Sequence, residues 1–146
     1  MAQKSFYVDA CIYINLWQEE GDKRYGIPYW KIAKDFFEKH DNENNIIYYS
    51  GFLLKEMKFI LEEKVFAQKR ELFDASPNFK KIDITKDELN EARKIESETN
   101  FEISFYDIIH LVLARKTMSV LITRDSKLLE VAKKYSVNAG KPEEFL

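Results

Sequence analysis

The sequence has one cysteine, Cys11, in 146 residues, which excludes an intrachain disulfide and a cysteine-rich zinc site and fits a reducing compartment. It has no long hydrophobic run. The longest apolar stretch, IIHLVLA at 108–114, is far short of the roughly 20 residues that cross a bilayer. The N-terminus lacks the basic-then-apolar pattern of a secretory signal, so the expectation is a soluble, cytoplasmic protein without a membrane partner. An excess of charge is missing too. The 23 Lys and Arg residues face 25 Asp and Glu, which weighs against a general polyanion binder, because such binding needs many basic phosphate contacts. No glycine-rich phosphate loop and no nucleophile motif is present to support a nucleotide-binding or covalent mechanism.

What is present suits a single domain over 1–146, with 45% hydrophobic residues to fill one core. Four β-rich runs lie at 5–9, 46–50, 80–85 and 119–123, with a weaker one at 137–139, and segments of helical periodicity separate them. That alternation predicts an α/β fold with a parallel sheet covered by helices on both faces. Ser50, Thr85 and Ser104 each precede a helical run, and Thr85 to Glu88 and Ser104 to Asp107 have capping-box spacing. Pro28 suits the first turn of a helix over 28–40, and the polar stretches 18–27 and 41–45 read as surface connections. In such a sheet, ligands bind in the crevice beyond the carboxyl ends of the strands, so acids placed there are the ones to examine.

Four acids qualify. Asp9 ends the first strand in FYVDACIYI, and Asp125 follows the strand VLIT by two residues; either one could equally cap the helix that comes next. Glu56 falls on the apolar stripe of Leu53, Met57, Ile60 and Leu61 in a helix read across 51–64. A carboxylate on a core-facing stripe needs a partner, either a basic side chain or a metal ion. Asp107 opens the most hydrophobic helix, FYDIIHLVLARK, where it either completes a capping box with Ser104 or faces the crevice. His110, one turn further on, reads as a hydrogen-bonded core histidine rather than a ligand. Carboxylates crowded together repel and take up protons unless a cation compensates them. Mg2+ or Mn2+ suits an all-oxygen site, and such cations activate water and neutralise phosphate charge in phosphodiester cleavage.

With these residues in place, the sequence resembles the PIN-domain nucleases along nearly its whole length. FYVDACIYI resembles the first-strand motif, LLKEM the helix that carries a Glu, FYDIIHLVLAR the Asp-x-x-His helix, LITRD the Thr-x-Asp strand end, and YSVNAGKPEEF the closing strand and tail. The resemblance implies a five-stranded parallel sheet in the order 3-2-1-4-5 between helices. It also implies an acidic metal site of Asp9, Glu56, Asp107 and Asp125 holding one or two ions, with Thr123 as a supporting hydroxyl. Its further implications are cleavage of RNA with Mg2+ or Mn2+ to leave a 5′-phosphate and a 3′-hydroxyl, homodimerisation, and, in small prokaryotic members, a toxin role neutralised by an antitoxin partner. One departure stands out. Ala10 and Cys11 follow Asp9 where the family usually has Ser, Thr or Asn, and a thiol is only a weak donor.

The resulting reading is a metal-dependent endoribonuclease. Its alternative is a catalytically weak PIN-like module that binds RNA or protein, which the Ala10-Cys11 departure slightly favours. Lys55, Lys58, Arg115, Lys116, Arg124 and Lys127 flank the acids, and among them Arg124 is singled out for substrate contact. A receiver-type phosphoacceptor is set aside, because no second acid adjoins Asp9. The aromatic-rich segment PYWKIAKDFF at 28–37 fits a dimer surface or core packing equally well.

Overall fold

Along β1 (Ser5–Val8) the side chains of Phe6 and Val8 enter one core and that of Tyr7 enters another, the two-residue alternation of a strand covered on both faces. The computed structural model describes residues 3–146 and builds the rest of the fold around this strand. β1 pairs in parallel with β2 (Ile46–Tyr49) on one side and β4 (Val120–Ile122) on the other. β3 (Phe79–Lys81) and β5 (Ala139–Gly140) form the edges, giving the order β3-β2-β1-β4-β5, all parallel. The order and the direction are those the resemblance implies.

On one face, α1 (Ala10–Trp17), α2 (Tyr29–Asn42), α3 (Gly51–Ile60) and α4 (Glu63–Ala75) pack on Phe6, Val8, Ile47, Tyr49 and Ile122. On the other, α5 (Lys86–Glu98), α6 (Phe105–Lys116) and α7 (Ser126–Lys134) enclose Tyr7 and Leu121. A 3-10 turn at Pro142–Phe145 closes the chain. Among the described residues, no helix is long and apolar enough to cross a membrane.

The expected helix starts are present. The side chains of Ser50, Thr85 and Ser104 accept from the backbone N–H of Leu53, Glu88 and Asp107. Thr85 and Glu88 complete a reciprocal capping box. Several boundaries differ from the sequence reading, most by a residue or two, and four of them have a clear physical reason. The helix expected across 51–64 is two, because Leu61 turns extended at the end of α3 and drops into the core. The third strand ends at Lys81 instead of 85: as an edge strand it has one neighbour, and past the bond from Ile82 N–H to Tyr49 O the chain leaves the sheet. The fifth strand is Ala139–Gly140 rather than 137–139, since Val137 is still packing in the core as the chain turns back through Ser136. Pro28 sits at the N-cap of α2 rather than in its first turn. That helix turns Ala33 and Phe36 fully inward, which accounts for much of its apolar character by core packing.

Candidate active site

β1 and β4 are neighbours in register, Val8 beside Ile122, so their carboxyl ends open into one crevice. Asp9 follows β1 there, and its N–H donates to Ile122 O at 2.9 Å. It occupies the N-cap position of α1 but makes no side-chain cap, which leaves the carboxylate free to face the crevice. Asp9 is buried, and two donors hold its Oδ2: the Thr123 hydroxyl at 2.8 Å and the Cys11 thiol at 3.3 Å. Burial, followed by the charge of Asp9, pushes the Cys11 thiol well up, so it stays protonated and donates. The thiol thus makes the contact that its sequence position had placed in doubt.

Glu56 reaches the crevice from α3. Its partner is neither Lys nor Arg: His110 Nε2 lies 2.9 Å from Oε1. The His110 ring is fully buried on α6, and Nδ1 lies 2.8 Å from the Tyr7 hydroxyl. Burial opposes a charged imidazole here. The Glu56 hydrogen bond and the charges of Asp9, Glu56 and Asp107 outweigh it and raise the pKa.

Asp107 stands one turn before His110 on α6. The cap with Ser104 is made through the Asp107 backbone N–H, and the same hydroxyl also favours the ionised carboxylate. Burial, and next the Asp9 charge, push the Asp107 carboxyl from 3.8 up to about 7. Such crowding of like charges is what a cation would relieve. One ligand atom from each of Asp9, Glu56, Asp107 and His110 lies within 4.8 Å of the others.

Asp125 is outside that group. Its Oδ1 accepts from the N–H groups of Lys127 and Leu128, so it is the N-cap of α7, one of its two expected roles. It still borders the same cleft as Asp9, Glu56 and Asp107, together with Glu20 from the loop after α1. Among the described lining residues, five acids face one base, Arg124.

Arg124 donates to Glu143 at 3.0 Å, and its guanidinium lies 4.0 Å from the Tyr29 ring centre, while its Nε and Nη2 are buried without a partner. Of the other flanking cations, Arg115 pairs with Glu91, and Lys116 donates to Asp83 O and Glu88, both towards α5 and its leading loop. Lys55 borders a separate cleft with Lys81. Sequence reasoning missed Tyr7 and Glu20 and saw Ser50 only as a cap. A tyrosine in a buried strand gives no periodic signal of function.

The donor set fits a hard cation. It consists of carboxylate oxygens and one imidazole whose two nitrogens are already engaged.

Solved structures of other proteins share the fold. FitAcB from Neisseria gonorrhoeae matches with a TM-score of 0.64 at 14% identity, over 94% of this chain and 98% of that one. VapBC2 from Rickettsia felis, bound to a DNA fragment from its promoter, matches with a TM-score of 0.66 at 14% identity over the same shares. A toxin-antitoxin complex from Klebsiella pneumoniae matches with a TM-score of 0.59 at 22% identity, over 93% of this chain and 96% of that one. No curated protein matches the sequence. The profile of the PIN domain matches residues 6–134, a span that includes all four predicted acids, and the chain belongs to the PIN domain family.

Proposed function

We propose that the chain is a metal-dependent endoribonuclease whose cation, Mg2+ or Mn2+, is held by Asp9, Glu56 and Asp107, with Asp125 completing the acidic rim. The observation that carries this reading is the convergence of Asp9, Glu56 and Asp107 at the carboxyl edge of the sheet. Membership of the PIN family supports nucleic acid as the substrate. When bound, the cation supplies activation of water and neutralisation of phosphate charge. The protein's own part is to fix the carboxylates. Thr123 and Cys11 orient Asp9, His110 orients Glu56, and the α6 cap aims Asp107. Arg124, held by Tyr29 and Glu143, is the base that lines the same cleft, and it would reach a substrate phosphate on release from Glu143.

RNA is the substrate in this reading, and the products carry a 5′-phosphate and a 3′-hydroxyl. The protein acts in the cytoplasm as a homodimer and as the toxin of a pair, with an antitoxin that blocks the acidic cleft. The support for a partner is one similar fold, from Klebsiella pneumoniae, solved as a toxin-antitoxin complex. The alternative, a catalytically weak module, draws no support from the site, because Cys11 supplies a donor to Asp9 despite the departure.

Incubation of a labelled RNA pool with the protein, with and without Mn2+, tests the assignment. Cleavage should require the ion and disappear in Asp9→Asn and Asp107→Asn variants that remain folded. Unchanged cleavage by either variant, in a preparation freed of contaminating nucleases, would refute it.

A further inference from the structure

Four polar groups run in a line through the core behind the acids. The Leu53 N–H donates to Ser50 Oγ at 3.1 Å, Ser50 Oγ lies 2.6 Å from the Tyr7 hydroxyl, and that hydroxyl lies 2.8 Å from His110 Nδ1. His110 Nε2 then meets Glu56 at 2.9 Å. Tyr7, Ser50 and His110 are all buried, and Glu56, at 23% side-chain exposure, is where the line reaches the cleft.

Counting donors gives the line a direction. An ionised carboxylate accepts only, so the hydrogen between His110 and Glu56 is on Nε2. Ser50 Oγ already accepts from Leu53, and its own hydrogen has one acceptor at hand, Tyr7. With His110 neutral, Tyr7 then donates to Nδ1 and every donor in the line has an acceptor; the charged ring that the carboxylates favour would donate from Nδ1 to Tyr7, and in both states the Nε2 hydrogen faces Glu56. For the neutral ring, reversing the Tyr7 bond would leave the Ser50 hydrogen buried and unpaired, a costly arrangement.

We infer that Tyr7 and His110 are positioning residues that hold Glu56 for the cation through this directed line, and that His110, despite its place among the acids, is not a ligand. The inference rests on the metal-site reading above. Nε2 has no lone pair to offer while it carries a hydrogen, and Nδ1 points away toward Tyr7. A phenylalanine at position 7 would fill the same core volume. The hydroxyl is there for the line.

The test has a spectroscopic arm and a binding arm. His40 and His110 are the two histidines, so ring 15N spectra are readily assigned. In saturating Mg2+, His110 should keep its Nε2 hydrogen, and its ring N–H should exchange faster in Glu56→Ala. In calorimetry, Tyr7→Phe should weaken Mn2+ binding about 10–100-fold, the usual effect of removing a group that orients a ligand. In the Glu56→Ala background the same change should alter it by less than about 2-fold, because the line then orients nothing.

Loss of the Nε2 hydrogen on adding Mg2+ would make His110 a ligand and overturn the inference. Equal Tyr7→Phe effects in both backgrounds would also overturn it, as a merely structural role predicts. If the wild-type chain binds no Mn2+ and cleaves no RNA, the metal-site reading falls on its own. The ring spectra of wild type and Glu56→Ala still decide whether His110 donates to Glu56.

Discussion

The Thr123 hydroxyl donates to Oδ2 of Asp9 at 2.8 Å and accepts from the N–H of Asp125 at 3.1 Å, tying the ends of β1 and β4 to the start of α7. One hydroxyl thus fixes the inner acid and the approach to the outer one. Valine has nearly the same shape and lacks both functions. Thr123→Val should lower metal-dependent cleavage by about 10–100-fold, as removal of partners to metal-binding carboxylates typically does. Thr123→Ser should restore most of it. The Mn2+ dependence of cleavage in the two variants checks this, and equal rates in Val and Ser variants would refute it.

Cys11 gives a second, graded test. Its thiol donates to the same Asp9 oxygen as Thr123 and lies 3.9 Å from the Thr123 hydroxyl. A serine would make a stronger donor at that position. Cleavage should rank Cys11→Ser at or above wild type and Cys11→Ala below both. Because burial and Asp9 hold the thiol protonated, Cys11 should also react slowly with iodoacetamide at neutral pH. Rapid alkylation of the folded protein would contradict the assigned contact.

Much of this candidate site is legible in the sequence. Asp9 and Asp107 stand where a strand gives way to a helix or a helix begins, and Glu56 interrupts an apolar stripe, so backbone periodicity alone points at them. Asp125 was legible only as an ambiguity, and the hydrogen bonds resolve its Oδ1 as a helix cap. The line through Tyr7 and Ser50 was not legible at all. It joins residues 43 and 103 positions apart across three elements, and no local pattern encodes which buried hydroxyl meets which ring. The break at Leu61 escaped for a related reason: the local pattern continues the helix, and tertiary packing of Leu61 ends it.

Stability should respond elsewhere. Away from the cleft, the buried Asn45 joins three parts of the chain: its Nδ2 donates to His40 Nδ1 at 2.9 Å, and its Oδ1 accepts from the N–H of Lys4 at 3.0 Å. His40 in turn contacts Phe145 O at 2.9 Å, holding the closing turn. Asn45→Ala leaves the buried ring nitrogen unpaired and should cost about 1–3 kcal/mol. Urea denaturation measures the loss. Mn2+ affinity below the transition should be unchanged, since none of these groups reaches the acids.

The acidity of Asp107 links the two properties. Its carboxyl is pushed from 3.8 to about 7 by burial and by Asp9, so in the metal-free protein it carries a proton up to neutral pH. A cation must displace that proton. Mn2+ affinity should therefore climb about tenfold per pH unit below that value and level off above it. Calorimetry in buffers of different ionisation heat should count about one proton released per ion at pH 6. For folding the sign is opposite. A group whose folded pKa lies above its unfolded one stabilises the fold below the unfolded value, and this is lost as pH rises through the folded value. The metal-free protein should accordingly lose thermal stability between pH 4 and pH 8 through this group, and Asp107→Asn should flatten that slope. A variant whose melting temperature follows the wild-type pH profile would show that Asp107 does not hold the proton.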